Sequence, residues 1–342
     1  MSRDCNFVWN YCNEVSRKRW KESRLYTNKV VINKIVKGAS KELSINQQTV
    51  QAVGYELETR LKQFRKALRF RGRKSLGWVP FNGQTIKYVG DYIIYDKKVF
   101  KFWSSREVKS KIKTGSFTQD ARGRWYVNLV AQVNKEEKIC SSGELGIDLG
   151  LTSTVADSNG QKISSREYKK YEKDLGKAQR AKKKKQTKKI HAKIKNKRKD
   201  CLEKYSTKIA LQNQLIVVGD VPPTKLAKTK MAKSVLDNSW SLLKGKIRHK
   251  TKRYGGIYLE VNEAYTSRTC SHCLTYWEEM PKGLKSLAIR EYTCPSCGVW
   301  QDRDINAARN ILRIGRDSLQ AEKSKNKKLD GLAGEESPTI TV

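Results

Sequence analysis

Residues 145–151 read Leu145-Gly146-Ile147-Asp148-Leu149-Gly150-Leu151. Apolar side chains and glycines surround one carboxylate. The stretch spells a short apolar strand, and an ionised Asp148 inside it is costly unless it meets a metal ion or another cation. A turn-capping or strand-end aspartate is the plain alternative. Leu151 to Asp157 reads as a second strand, and Asn159-Gly160 as a hairpin turn. A domain therefore opens at about Glu144. Further on, Leu215 to Val218 is fully apolar and ends at Gly219-Asp220. Val235, Leu236, Trp240, Leu243 and Ile247 form a helical stripe, Gly256 to Val261 is another strand, and Asp304 to Leu312 is a short helix. Residues 316–342 lose periodicity and read as a mobile tail.

Between these strands lies a basic run. Residues 169–200 hold 16 Lys or Arg against 3 Asp or Glu, with no proline. The composition predicts a basic helical hairpin or arm. Its charge is too one-sided for pairing along a helix, so phosphate is its expected partner, with Lys182, Lys183, Lys184, Lys185, Lys188 and Lys189 as the contacts. A solvated face without a partner is the bland alternative.

Cys270-x2-Cys273 and Cys294-x2-Cys297 can close a tetrahedral four-thiolate site on Zn²⁺. Four thiolates leave no open position, so the metal is structural. Gly298 suits the left-handed turn after the second knuckle, whereas Leu274 stands where glycine would fit better after the first. Cys5, Cys12, Cys140 and Cys201 have no partner spacing and read as ordinary thiols.

Upstream, residues 1 to about 75 look helical. Val50, Val53, Leu57, Leu61, Phe64 and Leu68 share one helix face, and Arg60, Lys62, Arg65, Lys66 and Arg69 the other. The helix is expected to end near Arg71-Gly72-Arg73, which with Arg65 and Arg69 makes a second basic surface. From Trp78 to Val133 the period is two, which predicts a small antiparallel sheet or barrel with turns at Gly90-Asp91 and Arg122-Gly123. Of its aromatics, Trp78, Phe81, Tyr92, Phe100, Trp103 and Trp125, most are expected in the core and the rest free to stack on bases.

The 342 residues suit two or so domains, and 72 Lys plus Arg against 34 Asp plus Glu give a formal charge of +38. Such a surplus points to a polyanion: DNA, RNA or an anionic membrane face. No apolar run approaches the roughly 18 residues of a membrane span. The first residues lack a signal-peptide pattern. Secretion is a poor reading, and a cytoplasmic, nucleoid-associated protein is expected.

Taken in order, the segments carry more. Gly146-Ile147-Asp148-Leu149-Gly150-Leu151-Thr152 is followed by the basic arm, by Ile216-Val217-Val218-Gly219-Asp220-Val221, and by Lys228-Thr229-Lys230-Met231-Ala232-Lys233-Ser234-Val235. Val261-Asn262-Glu263-Ala264-Tyr265-Thr266-Ser267 and Asp302-Arg303-Asp304-Ile305-Asn306-Ala307-Ala308-Arg309-Asn310 then flank the double CxxC. This order resembles the TnpB (OrfB) proteins of bacterial insertion sequences, relatives of type V CRISPR effectors. The likeness is close over about 140–315 and looser upstream, through Asn6-Phe7-Val8-Trp9-Asn10 and Gly123-Arg124-Trp125-Tyr126.

The resemblance implies an α/β RuvC nuclease domain of RNase H-like fold with an inserted zinc ribbon, preceded by a helical and antiparallel β-barrel region. The expected divisions are 1–135 for nucleic-acid binding, 144–265 for the first part of the nuclease with the arm at 166–210, 266–300 for the ribbon, 301–315 for the last part of the nuclease and 316–342 for the tail. It also implies an RNA-guided DNA endonuclease of the transposase-associated type, whose guide RNA comes from the element's own end. Two Mg²⁺ ions held by three carboxylates would carry phosphodiester hydrolysis. Asp148 matches the first carboxylate and Asp304 the last, with Asp302 supporting; an N-cap is the plain role for Asp304.

The second carboxylate departs from the family pattern. Where that pattern ends the strand with Glu-Asp-Leu, this chain has Gly219-Asp220-Val221. Three readings compete. Glu263 supplies a relocated carboxylate; Asp220 serves, although one step along a strand is the opposite face; or the site is dead and the chain is a guided or zinc-ribbon DNA-binding protein. The chain also starts inside the Val-Trp-Asn helix, without the strand that usually precedes it. A missing barrel strand, as a truncated reading frame would leave, is the expectation.

Overall fold

The computed structural model describes residues 1–332 except 105, 106, 109, 133–139, 152, 165, 166, 222–237 and 279–288, and not the side chains of 167, 168, 323 and 325–332. The Lys228–Val235 motif and the start of the Val235 stripe lie outside the described residues. The chain divides into two units, Met1–Asn134 and Lys135–Val342.

In the first unit, α1 (Ser2–Ser23), α2 (Lys29–Ile35) and α3 (Gln47–Phe64) precede the strands. Asn46 starts α3 by accepting the Thr49 N–H on its side chain, and Val50, Val53, Leu57 and Leu61 are buried as the periodicity predicts. The helix ends earlier than expected. Arg65 turns left-handed (φ 48°), and its N–H closes on Leu61 O. The following segment then runs along α1, where Asn13 and Arg17 donate to Leu68 O, Trp9 to Arg69 O and Asn10 to Arg71 O. Those side chains capture backbone that a longer helix would have paired with itself.

The sheet region forms two three-stranded antiparallel sheets, not a closed barrel, among the described residues. One has the order β1 (Trp78–Asn82), β5 (Ile112–Gln119), β6 (Trp125–Ala131); the other is β2 (Ile86–Val89), β3 (Tyr92–Tyr95), β4 (Lys98–Lys101). Phe81, Ile93 and Tyr95 join the helices in one core, with Phe100 and Phe117 packed against it. The expectation that most named aromatics are core fails for half of them: Tyr92, Trp103 and Trp125 are exposed.

In the second unit, β7 (Gly143–Asp148), β8 (Val155–Asp157) and β9 (Lys162–Ile163) form an antiparallel meander. Gly160 takes φ 91° in the predicted turn. The chain then forms α4 (Glu167–Arg180) and α5 (Lys184–Gln212), the basic hairpin, whose turn has Lys182 left-handed at φ 50°. Next, β10 (Asn213–Gly219) and β11 (Ile257–Val261) add parallel to β7, and the sheet order is β11-β10-β7-β8-β9. Between them lies α6 (Trp240–Arg253).

Alternation sorts the two faces of this sheet. Leu145, Ile147, Ile216 and Val218 pack with Leu202 and Ile209 of α5 and Leu243 and Ile247 of α6. Leu215, Val217 and Val261 pack with Ile311 and Leu312 of α7 (Arg303–Leu332) on the other face. Gly146 lets α7 come close: a Cβ there would lie 2.0 Å from Ala308 O. The expected mobile tail is corrected in part. Instead of stopping at Leu312, the helix continues to Leu332, and as far as Leu319 it rests on Val217 and the neighbouring apolar cluster. Residues 333–342 lie outside the described residues.

Candidate metal centres and nucleic-acid interface

The period-two rule brings the acidic residues together. Asp148 ends β7 on the face that Gly146 turns to α7, and Gly219 ends the neighbouring β10 on the same face. Glu263 lies two residues beyond Val261, which pairs with Gly219 and faces α7. Asp304 lies in the first turn of α7, one turn before Ala308 and its contact with Gly146. The Glu263 side chain fills the space that a residue-219 side chain would occupy: a Cβ on Gly219 would stand 2.9 Å from Glu263 Oε2 and 3.3 Å from its Cβ. That Oε2 is buried and has no hydrogen-bond partner among the described residues.

Electrostatics report the same proximity. Burial, then repulsion from Glu263 and Asp304, pushes the Asp148 carboxyl up to about 8, with Arg303 only partly opposing. Burial also raises the Glu263 carboxyl, against the pull of Lys244 and with a smaller push from Asp220. Asp304 is flanked by Lys162 Nζ and Arg290 Nη1, each at 3.5 Å. Asp302 caps α7, accepting the N–H groups of Asp304 and Ile305 at 3.0 and 3.1 Å, and pairs with Lys162 at 2.6 Å. The capping role thus falls to Asp302 and leaves the Asp304 carboxylate to the cluster. Asp220 points the other way. It is mostly exposed and pairs at 2.9 Å with Lys244 of α6, which also holds Glu260 at 2.8 Å.

Carboxylate oxygens are the donors that a hard divalent cation takes, although among the described residues only the four cysteines bring their ligand atoms within 4.8 Å of one another. One of the carboxylate oxygens is buried and unpartnered, and their mutual repulsion is what a bound cation relieves. The cysteines fit a softer one. The Sγ atoms of Cys270, Cys273, Cys294 and Cys297 all lie within 4.8 Å of one another. The two knuckles repeat one geometry: Cys270 N–H donates to Thr275 O and Leu274 N–H to Cys270 O, both at 3.0 Å, and Cys294 N–H donates to Val299 O and Gly298 N–H to Cys294 O, both at 2.9 Å. The Cys273 thiol donates to Thr275 Oγ1 at 3.4 Å, and its contacts with Thr275 lower it while Cys297 in the same cluster is raised, so the four thiols titrate as one group. Gln301 Nε2 donates to Cys270 Sγ at 2.8 Å. By contrast, burial pushes Cys5 and Cys12 up to about 12, as befits inert thiols.

Comparison with known proteins finds likenesses over most of the second unit. The OrfB_IS605 family model, described as "Probable transposase", matches residues 129–230, and the Cas12f1-like TNB domain matches residues 240–311. A Streptomyces pristinaespiralis protein bearing the name of an RNA-guided DNA endonuclease is 32% identical over 217 residues, covering 59% of this chain and 52% of that protein. Escherichia coli K12 InsQ, similarly named, is 25% identical over 251 residues, covering 64% and 60%. The TnpB-like protein L79 of Acanthamoeba polyphaga mimivirus is 28% identical over 250 residues, covering 63% and 46%. The matched part is thus about half the length of these relatives. A cryo-EM structure of a Cas12f1–sgRNA–target DNA complex aligns with 91% of this chain and 92% of that chain, at a TM-score of 0.40 and 16% identity.

This chain resembles TnpB/OrfB proteins over residues 129–311.

The basic residues divide by environment. Lys182, Lys183, Lys184, Lys185, Lys188 and Lys189 are all exposed along the hairpin, as are Arg65, Arg69 and Arg73 in the first unit. Arg71 is different. It donates to Asn6 Oδ1 and Leu76 O, lies over the Trp78 ring, and is half-buried, so its first duty is holding 71–78 against α1. No helix among the described residues is long and apolar enough to cross a membrane.

Several residues around the acidic cluster escaped the sequence reading: Lys162, Arg290, Gln301, Asn306 and Asn310. The last two carried a signal, since amides four apart on a helix face shared with Ala307 and Ile311 are misplaced unless they have buried partners. The knuckle turns yield a prediction. Leu274 holds φ 65° and is half exposed, where Gly298 holds φ 70° at the equivalent place. Leu274→Gly should therefore raise zinc-loaded stability by about 1 kcal/mol, read by calorimetry, because a left-handed backbone costs leucine roughly that much.

Proposed function

We propose that this chain is an RNA-guided DNA endonuclease whose RuvC-type, RNase H-like domain cuts with Mg²⁺ held by Asp148, Glu263 and Asp304, and whose four cysteines bind structural zinc. The observation that carries the proposal is the Glu263 carboxylate lying over Gly219 on the face shared by Asp148 and Asp304. It supports Glu263 as the relocated second carboxylate over Asp220, whose side chain is committed to Lys244 on the other face. The sheet supports the fold assignment: an antiparallel meander, β7 to β9, is extended at β7 by two parallel strands, with the carboxylates at their common end.

Magnesium held there would supply the activation of water and the stabilisation of the leaving oxygen in phosphodiester hydrolysis. The chain's own residues do the rest. Asp148 and Glu263 present carboxylates from a buried sheet end. Lys162 and Arg290 set cations beside Asp304, where a scissile phosphate would gain from them. The exposed lysines of the α4–α5 hairpin and the arginines of the first unit supply sequence-independent attraction for guide RNA and target DNA. Sequence choice would rest on pairing between guide and target.

The test begins with RNA that co-purifies when the chain is expressed with the DNA flanking its gene. One discrete RNA ending at the element boundary is expected, and protein loaded with it should cut matched DNA in Mg²⁺. A smear of cellular RNA removed by moderate salt, or binding without cleavage, would leave only a nucleic-acid binder. Reversing charge at Lys182 to Lys185 should weaken RNA binding and reduce its dependence on salt, because fewer counterions are released. An unchanged salt slope would mean that the arm is only solvated.

A further inference from the structure

Glu263 precedes Cys270 by seven residues, and Asp304 follows Cys297 by seven. The zinc ribbon therefore lies in sequence between two carboxylates of the cluster. The two ends of this insertion are also tied to each other by side chains. Asn306 and Asn310 sit one turn apart on α7, both 1% exposed. Asn306 Nδ2 donates to Thr266 O at 3.2 Å and Thr269 O at 2.8 Å. Asn310 Nδ2 donates to the same two oxygens at 2.9 and 2.6 Å. Asn306 Oδ1 accepts the Ser271 N–H at 2.7 Å. Thr266 in turn holds the carbonyl of Glu263, with its N–H at 3.2 Å and its hydroxyl at 2.8 Å. At the other end, Ser271 Oγ donates to Gln301 Oε1 at 3.0 Å, and Gln301 Nε2 reaches Cys270 Sγ at 2.8 Å. Gln301 lies three residues before Asp304.

We infer that Asn306 and Asn310 are positioning residues: they fix Glu263 relative to Asp304 through the 266–271 strap, and they couple zinc at the four cysteines to divalent-metal binding at the carboxylates. The inference rests on the carboxylate-centre reading above. Its physical basis is that the Thr266 and Thr269 carbonyls, against α7, accept from these two amides, and that the strap runs directly into the first knuckle at Cys270. Removing either hold frees the strap, and the Glu263 carbonyl moves with Thr266. Neither asparagine touches the reacting atoms.

The experiment measures Mn²⁺ binding by electron paramagnetic resonance on the full zinc-loaded chain, with zinc content and melting temperature recorded for each variant. Asn310→Ala and Asn306→Ala should bind Mn²⁺ about ten-fold more weakly, the usual cost of losing an outer-shell partner, with one zinc still bound. Thr266→Val removes only the hydroxyl bond to the Glu263 carbonyl. It should weaken Mn²⁺ binding several-fold and decides the matter if the asparagine variants do not fold. Stripping zinc from the wild type with a thiol-directed reagent should also weaken Mn²⁺ binding about ten-fold. Combined with Asn310→Ala it should add little, which a general loss of stability would not reproduce. Wild-type Mn²⁺ affinity in folded Thr266→Val and Asn310→Ala overturns the inference. If Asp148→Asn binds Mn²⁺ as the wild type does, the carboxylate centre itself is wrong and the inference falls with it. If Asp148→Asn loses Mn²⁺ while the strap variants keep it, only the inference falls.

Discussion

Asp148→Asn is expected to reduce guided DNA cleavage by roughly 10³-fold while making the magnesium-free protein more stable. The two effects share a cause. Asp148 is held beside Glu263 and Asp304 at a buried sheet end, and its carboxyl is pushed up to about 8. An unfolded chain releases that proton near pH 4, whereas the magnesium-free fold retains it until about pH 8. Folding thus binds a proton across this window. The favourable contribution of protonated Asp148 is full below about pH 4 and is lost as pH rises toward 8. Asparagine keeps the shape and removes the titration. The variant's melting temperature should exceed that of the wild type by a margin that grows from pH 5 to pH 8, reaching about 5 °C, or about 2 kcal/mol for a domain of this size. Mg²⁺ should close the gap by stabilising only the wild type. A wild-type cleavage rate in Asp148→Asn, or a margin that does not change with pH, would contradict this account of the site.

Gly219→Ala should cost cleavage about 100-fold with a change in stability below about 1 kcal/mol. Gly219 lies in a buried strand with no positive φ, so alanine is acceptable to the backbone. The new methyl would meet Glu263 Oε2 at 2.9 Å and Ile311 Cδ1 at 3.0 Å. The movable neighbour is the far end of the Glu263 side chain, so the carboxylate gives way and the fold does not. Misplacing one group by about an ångström is enough for a loss of this size. The companion experiment returns a carboxylate to the strand. Gly219→Glu combined with Glu263→Ala should cleave faster than Glu263→Ala alone, because truncating Glu263 vacates the space that the new side chain enters. Equal rates would mean that this position is not where the second carboxylate acts.

The legible and illegible parts of this protein differ in range. Four cysteines in two short knuckles were readable because each knuckle is a local turn, and the chemistry of four thiolates selects the metal. The place of Asp148 at the end of a buried strand was readable from the apolar residues around it. The basic hairpin was readable from composition. The end of α3 was not, because the side chains that divert residues 66–71 come from α1, more than fifty residues earlier. Nor was the full length of α7, whose later turns depend on lying against β10.

The second carboxylate shows where the boundary falls. Sequence by itself determined that Gly219 lacks a carboxylate, and that Asp220 is one step out of phase, since strand period is a property of the backbone alone. It left Glu263 as one reading among three. Only the tertiary structure decided which side chain fills the space over Gly219, because that depends on the register of β11 against β10 and on how Thr266, Asn306 and Asn310 hold the turn that follows. Apart from the local bond of Thr266 to Glu263, those are contacts between residues forty or more positions apart, and no local propensity encodes them.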